Sequence, residues 1–195
     1  DFGQGVANPG YIWNIKDVMK RAEAGEKLTI GFIGGSITQG SLSSTPQKCY
    51  AYLVYEWWVR TFPQAEFKYV NAGIGGTTSQ FGVARAQDDL LDAEPDFVIA
   101  EFSVNDESTG HFEETYEGLV RKILSSKSHP ALMLVHNVCY NNGASAELVH
   151  SRIARHYNIP SVSMQSTLYK ALLNCRFDNR RITPDDLHPN DCGHE

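Results

Sequence analysis

Short apolar runs recur along the chain at regular spacing, and amphipathic stretches separate them. Residues 28–33, 67–71, 97–102, 132–137 and, more weakly, 159–162 are rich in β-branched and aromatic side chains. Most are bounded by Gly, Pro, Asp or Asn, which marks them as buried strands. Between them, residues 47–61, 79–92, 112–126, 144–157 and 164–174 carry helical patterns. A further helix is predicted over 12–24, closed by Gly25. The clearest stripe places apolar residues at 112, 116, 119, 120, 123 and 124, the spacing of one helix face.

Strand–helix alternation of this kind calls for parallel strands joined by right-handed crossovers, with helices on both faces. Uninterrupted apolar strands such as 131–135 suit a sheet covered on both sides. The predicted fold class is α/β, a flavodoxin-like three-layer α/β/α sandwich around a parallel five-stranded sheet. Residues 1–27 read as an N-terminal lead-in and helix, and 28–195 as the domain proper. Ligands of such sheets lie beyond the carboxyl ends of the strands. The polar residues that follow each strand are therefore where chemistry is sought.

Composition narrows the partners. The chain has 195 residues, 42% hydrophobic and 21% charged, an ordinary globular make-up. A formal charge of −6 argues against sequence-independent binding to nucleic acid or to an anionic membrane, both of which need basic surface. No apolar run approaches the roughly 18 residues of a membrane span. Cys49, Cys139, Cys175 and Cys192 are too sparse for a disulfide scaffold and never spaced C-x-x-C. They point to a reduced, cytoplasmic setting. The chain starts without Met and without a signal-like segment, so a trimmed start stays open. It stops at what reads as the opening of a helix, and a C-terminal continuation is expected.

Four polar clusters follow the strands. Gly34-Gly35-Ser36-Ile37-Thr38-Gln39-Gly40 can turn sharply and expose one hydroxyl, or can be a capped glycine-rich turn. It fits neither a P-loop, nor G-x-G-x-x-G, nor the G-x-S-x-G elbow, where Thr38 replaces the second glycine. The glycines of residues 71–78 can bring backbone N–H groups close to an anion, or form a tight loop before a helix. Asn105, in Ser103-Val104-Asn105-Asp106, can donate to developing negative charge without titrating, or cap a turn. Asp185-Asp186-Leu187-His188 can be a base with its orienter, or a solvated loop. Singly, each plain reading stands. Together, a nucleophile, two oxyanion donors and an oriented base fall at the predicted carboxyl ends or in the final loop.

These residues resemble the SGNH (GDSL-like) hydrolase superfamily, named for Ser, Gly, Asn and His in four blocks. The blocks match at residues 33–40, at 71–79, at Val104-Asn105-Asp106 and at Asp185-x-x-His188-Pro189. The chain has Gly34-Gly35-Ser36 in place of the usual Gly-Asp-Ser, which spares the nucleophile but puts the loop's supporting hydrogen bonds in question. The resemblance implies a serine esterase that needs no metal or cofactor. Ser36 would be the nucleophile, His188 the general base and Asp185 its orienter, with Asp186 as the alternative. The oxyanion would be held by Ser36, Gly76 and Asn105. The Gly-Gly-Ser-Ile-Thr-Gln-Gly variant is similar to bacterial carbohydrate acetylesterases, above all two-domain enzymes for acetylated mannan oligosaccharides with an appended carbohydrate-binding module. The expected partner is thus an acetylated oligosaccharide of mannan or xylan type. A lipase or thioesterase on the same fold is the alternative, and a sugar-binding module with a vestigial site is another.

Further substrate contacts are expected from Gly35, Glu107, His111, Tyr140 and Asn141, the last two from the loop after the fourth strand. Trp57 and Trp58 cannot share a helix face, and one or both are expected in the core rather than under a sugar. His188, Cys192 and His194 match no standard zinc spacing, so no metal site is expected.

Overall fold

The computed structural model describes residues 2–195. The sheet has six strands: β1 (Val6–Asn8), β2 (Lys27–Gly34), β3 (Glu66–Gly73), β4 (Phe97–Glu101), β5 (Ala131–His136) and β6 (Ser161–Ser163). Their order is β1-β6-β5-β4-β2-β3. All neighbours are parallel except β1, which runs antiparallel to β6 with Val6 opposite Val162. The expectation of five strands is corrected to six. Three residues are too few to show alternation, and Asn8 holds this edge by donating Nδ2 to the carbonyls of Ala154 and Ile159, at 3.1 and 2.8 Å.

Helices α1 (Trp13–Glu23) and α3 (Tyr50–Thr61) supply the core of one sheet face, and α4 (Ser79–Asp89), α5 (Gly110–Leu124) and α6 (Glu147–His156) that of the other. On α5 the stripe buries Tyr116, Leu119, Val120 and Ile123. Each such side chain contributes roughly 1.5–3 kcal/mol of burial. Thr109 caps this helix by accepting from the Phe112 N–H. Trp58 is a core residue of α3, while Trp57 on the adjacent face is exposed. The helix expected over 164–174 is a π-helical turn, Gln165–Tyr169, running into α7 (Lys170–Leu173). The 141–146 stretch forms a turn ahead of α6.

Successive crossovers from β2 go to opposite sides, β3 on one and β4 on the other. That reversal opens a crevice outside the carboxyl ends of β2 and β4. Short helices α2 (Ser36–Gln39) and α8 (Asp191–His194) flank the residues that converge there.

Candidate active site

Ser36 opens α2 immediately after β2. Its Oγ lies 2.8 Å from His188 Nε2, and His188 Nδ1 lies 2.6 Å from Asp185 Oδ2. With the Nδ1 proton donated to the carboxylate, Nε2 is left to accept from the Ser36 hydroxyl. Asp185 does more than face the ring. Its Oδ1 accepts the main-chain N–H groups of His188 at 2.7 Å and Leu187 at 3.1 Å, and the Thr183 hydroxyl at 3.2 Å. Partial burial pushes its pKa up, but the bonds from the His188 ring, the His188 N–H and the Leu187 N–H prevail and bring it down to about 2. The carboxylate is therefore charged wherever an imidazole is neutral.

Asp186, the alternative orienter, is turned away. It sits at φ +66°, a left-handed conformation that Asp tolerates better than most residues, and its Oδ1 accepts from Asn179 Nδ2. The turn is held from outside by the Tyr140 N–H, which donates to the Asp186 carbonyl at 2.7 Å. Tyr140, expected to meet substrate, packs here beneath that turn. Its side chain is buried with Val138 and Ile182, and burial pushes the phenol up to about 12. Its contact is with the loop that carries Asp185 and His188.

Asn105 follows β4 on a turn and lies against Gly35. A Cβ at residue 35 would stand 2.2 Å from Asn105 Oδ1, so in this chain the amide takes up the space that a side chain at residue 35 would need. Asn105 Oδ1 is buried without a partner, and Nδ2 has no hydrogen-bond partner among the described residues. The same holds for the N–H groups of Ser36 and Gly76. Gly76 adopts φ +71°, with open space where a side chain would be. Glu107, His111 and Asn141 are exposed and touch neither Ser36, His188 nor Asp185 among the described contacts. The nearest partner of the His111 ring is Gln80 Oε1, 3.4 Å away.

Several supporting residues escaped the sequence reading. Arg85 is buried on α4 and donates Nη1 to the Ala72 carbonyl at 2.7 Å and Nη2 to the Gly34 carbonyl at 3.1 Å. It clasps the carboxyl ends of β3 and β2. Its signal was a charged residue on the buried stripe of α4. Asp191 accepts from the Ser44 N–H, the Ser44 hydroxyl and Lys48 Nζ at 2.7, 2.7 and 2.8 Å. Those bonds, the lysine's first, hold its pKa far below the usual carboxylate range. Three residues past His188, it ties the histidine's loop to the one that follows the nucleophile. His194 accepts the Tyr50 N–H at Nδ1.

A second His–Asp pair, His150 and Asp106, lies 3.0 Å apart with both side chains fully buried. Among the described residues no serine hydroxyl hydrogen-bonds the His150 ring, which is stacked on Tyr116 with centroids 3.6 Å apart. Burial, opposed by Asp106, lowers the His150 pKa. Asp106 Oδ1 accepts the Ser79 N–H at 2.9 Å, joining the Asn105 turn to the start of α4. An apolar groove of about 460 Å³ lies between α3, the face of β4, β5 and β6, and α8, with Ile37, Val54, Met133 and Met164 among its walls. Ser36, Asn105 and His188 do not line it.

A mostly parallel α/β/α sandwich with a Ser–His–Asp relay at its switch-point crevice defines an α/β serine hydrolase architecture. Within that class, the chain belongs to the GDSL-like lipase/acylhydrolase family, whose profile matches residues 32–195. It is 30% identical over 181 residues to thioesterase 1/protease 1/lysophospholipase L1 of Escherichia coli (strain K12), covering 87% of this chain and 78% of that protein. It is 69% identical to a two-domain esterase active on acetylated mannans, crystallised with mannopentaose, at a TM-score of 0.98. All of this chain is covered, and it spans about half (53%) of that longer relative. An acetylxylan esterase from Geobacillus stearothermophilus shares the fold at a TM-score of 0.71 and 20% identity, over 88% of this chain and 91% of the other.

Proposed function

We propose that this chain is a serine esterase that removes O-acetyl groups from acetylated oligosaccharides derived from mannan-type polysaccharide. The observation that carries the proposal is the continuous Ser36–His188–Asp185 relay, at 2.8 and 2.6 Å. Ser36 Oγ attacks the ester carbonyl while His188 Nε2 takes its proton, and the imidazolium then delivers that proton to the leaving sugar hydroxyl. Asp185 fixes the tautomer and stabilises the imidazolium. The oxyanion is met by three unengaged donors: the Ser36 N–H, the Gly76 N–H and Asn105 Nδ2. Water, activated by the same histidine, then cleaves the acetyl-enzyme and releases acetate.

The sugar assignment rests on the 69% identity with the mannan-active esterase. That relative's two-domain build supports reading this chain as the catalytic part of a protein that also carries a carbohydrate-binding module. The alternative, an acyl hydrolase for non-carbohydrate esters, rests on the 30%-identical thioesterase/lysophospholipase. p-Nitrophenyl acetate, butyrate and octanoate, with Ser36→Ala as control, separate the two readings. Turnover confined to octanoate would overturn the acetyl assignment.

A further inference from the structure

The end of β3 and the loop that leads to α4 present four successive main-chain N–H groups, and three of them are spoken for. The Gly73 N–H donates to Asn71 Oδ1 at 2.9 Å. The Ile74 N–H donates to the Gly34 carbonyl at 3.1 Å. The Gly75 N–H donates to Gln39 Oε1 at 2.8 Å. The Gly76 N–H, next in line, has no acceptor among the described residues.

Two of the acceptors belong to the segment that bears Ser36. Gly34 ends β2, and Gln39 is the last residue of α2, one turn from the nucleophile at its start. Asn71 completes the attachment, because its Nδ2 donates to the Thr38 carbonyl at 2.8 Å. On its far side the loop is closed by Thr77 Oγ1, which donates to the Ile74 carbonyl at 2.7 Å. Gly75 lies so near that a Cβ built on it would stand 3.5 Å from Ser36 Cβ. Two adjacent glycine amides therefore lie close to the nucleophile, and without Gln39 either could turn toward a developing oxyanion.

We infer that Gln39 is a positioning residue: by engaging the Gly75 N–H it assigns oxyanion donation to Gly76 and fixes that donor's aim relative to Ser36. This rests on the esterase reading proposed above. Gln39 touches no reacting atom. It acts through the peptide unit that precedes Gly76, whose φ of +71° only a glycine adopts freely. An oxyanion donor acts through its fixed direction, and the same N–H left free to swing loses part of its value in the transition state without changing ground-state binding.

The test compares Gln39→Met, which keeps the length and removes the acceptor, with Gln39→Ala, which removes it with a smaller side chain. Three readouts are taken on the folded proteins: kcat and KM for p-nitrophenyl acetate, the inhibition constant of phenylboronic acid, whose adduct with a serine is tetrahedral, and Tm. Both variants are expected to lose about ten-fold in kcat with KM within about two-fold. That is less than the roughly 10²–10³ for deleting a donor, because the Gly76 N–H remains. Boronic acid binding should weaken by a similar factor. Wild-type kcat and boronic acid affinity in both variants would overturn the inference, as would a kcat loss matched by a fall in Tm with boronic acid affinity unchanged. Ser36→Ala keeps the two levels apart. If it retains activity, the esterase reading itself fails; if it is inactive while the Gln39 variants behave as wild type, only the role of Gln39 fails.

Discussion

The contact between Gly35 and Asn105 turns a departure from the family motif into a quantitative prediction. In Gly35→Ala, the new Cβ would stand 2.2 Å from Asn105 Oδ1 and 2.9 Å from its Cγ. Ordinary contact begins near 3.4 Å, so the amide must withdraw by about 1 Å. A misplacement of that size can cost about 10²-fold in rate. The ceiling is the loss of the donor itself, about 10²–10³ in kcat for Asn105→Ala. If Gly35→Ala acts only by displacing Asn105, the double variant should be no slower than Asn105→Ala alone. Independent effects would instead multiply to about 10⁴–10⁵. The difference is a coupling of about 3 kcal/mol, at roughly 1.4 kcal/mol per decade. The assay is kcat on p-nitrophenyl acetate for the four proteins, with Tm recorded for each. Wild-type kcat in Gly35→Ala would refute the reasoning. So would a double variant slower than Asn105→Ala by a further 10²-fold, which would place the damage on Ser36 next door.

Other expected outcomes follow from the same geometry. Asp185→Asn should lower kcat by about 10²–10⁴ by losing the histidine's tautomer control, whereas Asp186→Asn should keep kcat within a few-fold; comparable losses would reopen the choice of orienter. Burial pushes the Glu101 carboxyl up to about 7 against its ordinary 4.5, countered by the nearby Asn137 amide and by Ser103. A raised acid keeps its proton in the folded state while the unfolded chain loses it, so stability is full below about pH 4.5 and falls as pH rises to about 7. Glu101→Gln should flatten that decline, worth roughly 3 kcal/mol, in urea unfolding followed from pH 4 to 8; an unchanged pH profile would contradict it. Arg85→Met should destabilise the fold by about 2–4 kcal/mol, because two buried carbonyls at the ends of β2 and β3 each lose a charged donor, and Arg85→Lys should not restore it, since one ammonium cannot reproduce the fork.

Much of the site was legible because its residues sit where an α/β sheet must place them. The ends of β2, β3 and β4 were legible to within two residues, from apolar runs ending at 33, 71 and 102 where the strands end at Gly34, Gly73 and Glu101, and the residues just beyond included Ser36, Gly76 and Asn105. The final loop was legible because Asp185 and His188 are three apart, so one turn of chain can hold both. What stayed hidden depends on contacts distant in sequence. Tyr140 looks the same in the sequence whether it faces a sugar or packs on Ile182, and only the closing of the C-terminal loop over it decides. Asp191 reaches Ser44 and Lys48 across more than 140 positions, with no local pattern to announce it. β1 is three residues long and takes its strand character from β6. Gln39 lay inside a motif that was read for its serine, while its own bond runs to a glycine on another loop.

Mass spectrometry of acetylated manno-oligosaccharides incubated with the wild-type chain and with Ser36→Ala bears most directly on the proposed activity. Stepwise loss of acetyl groups with release of acetate is expected from the wild type alone. Intact acetyl groups after both incubations, or equal loss with both, would contradict it.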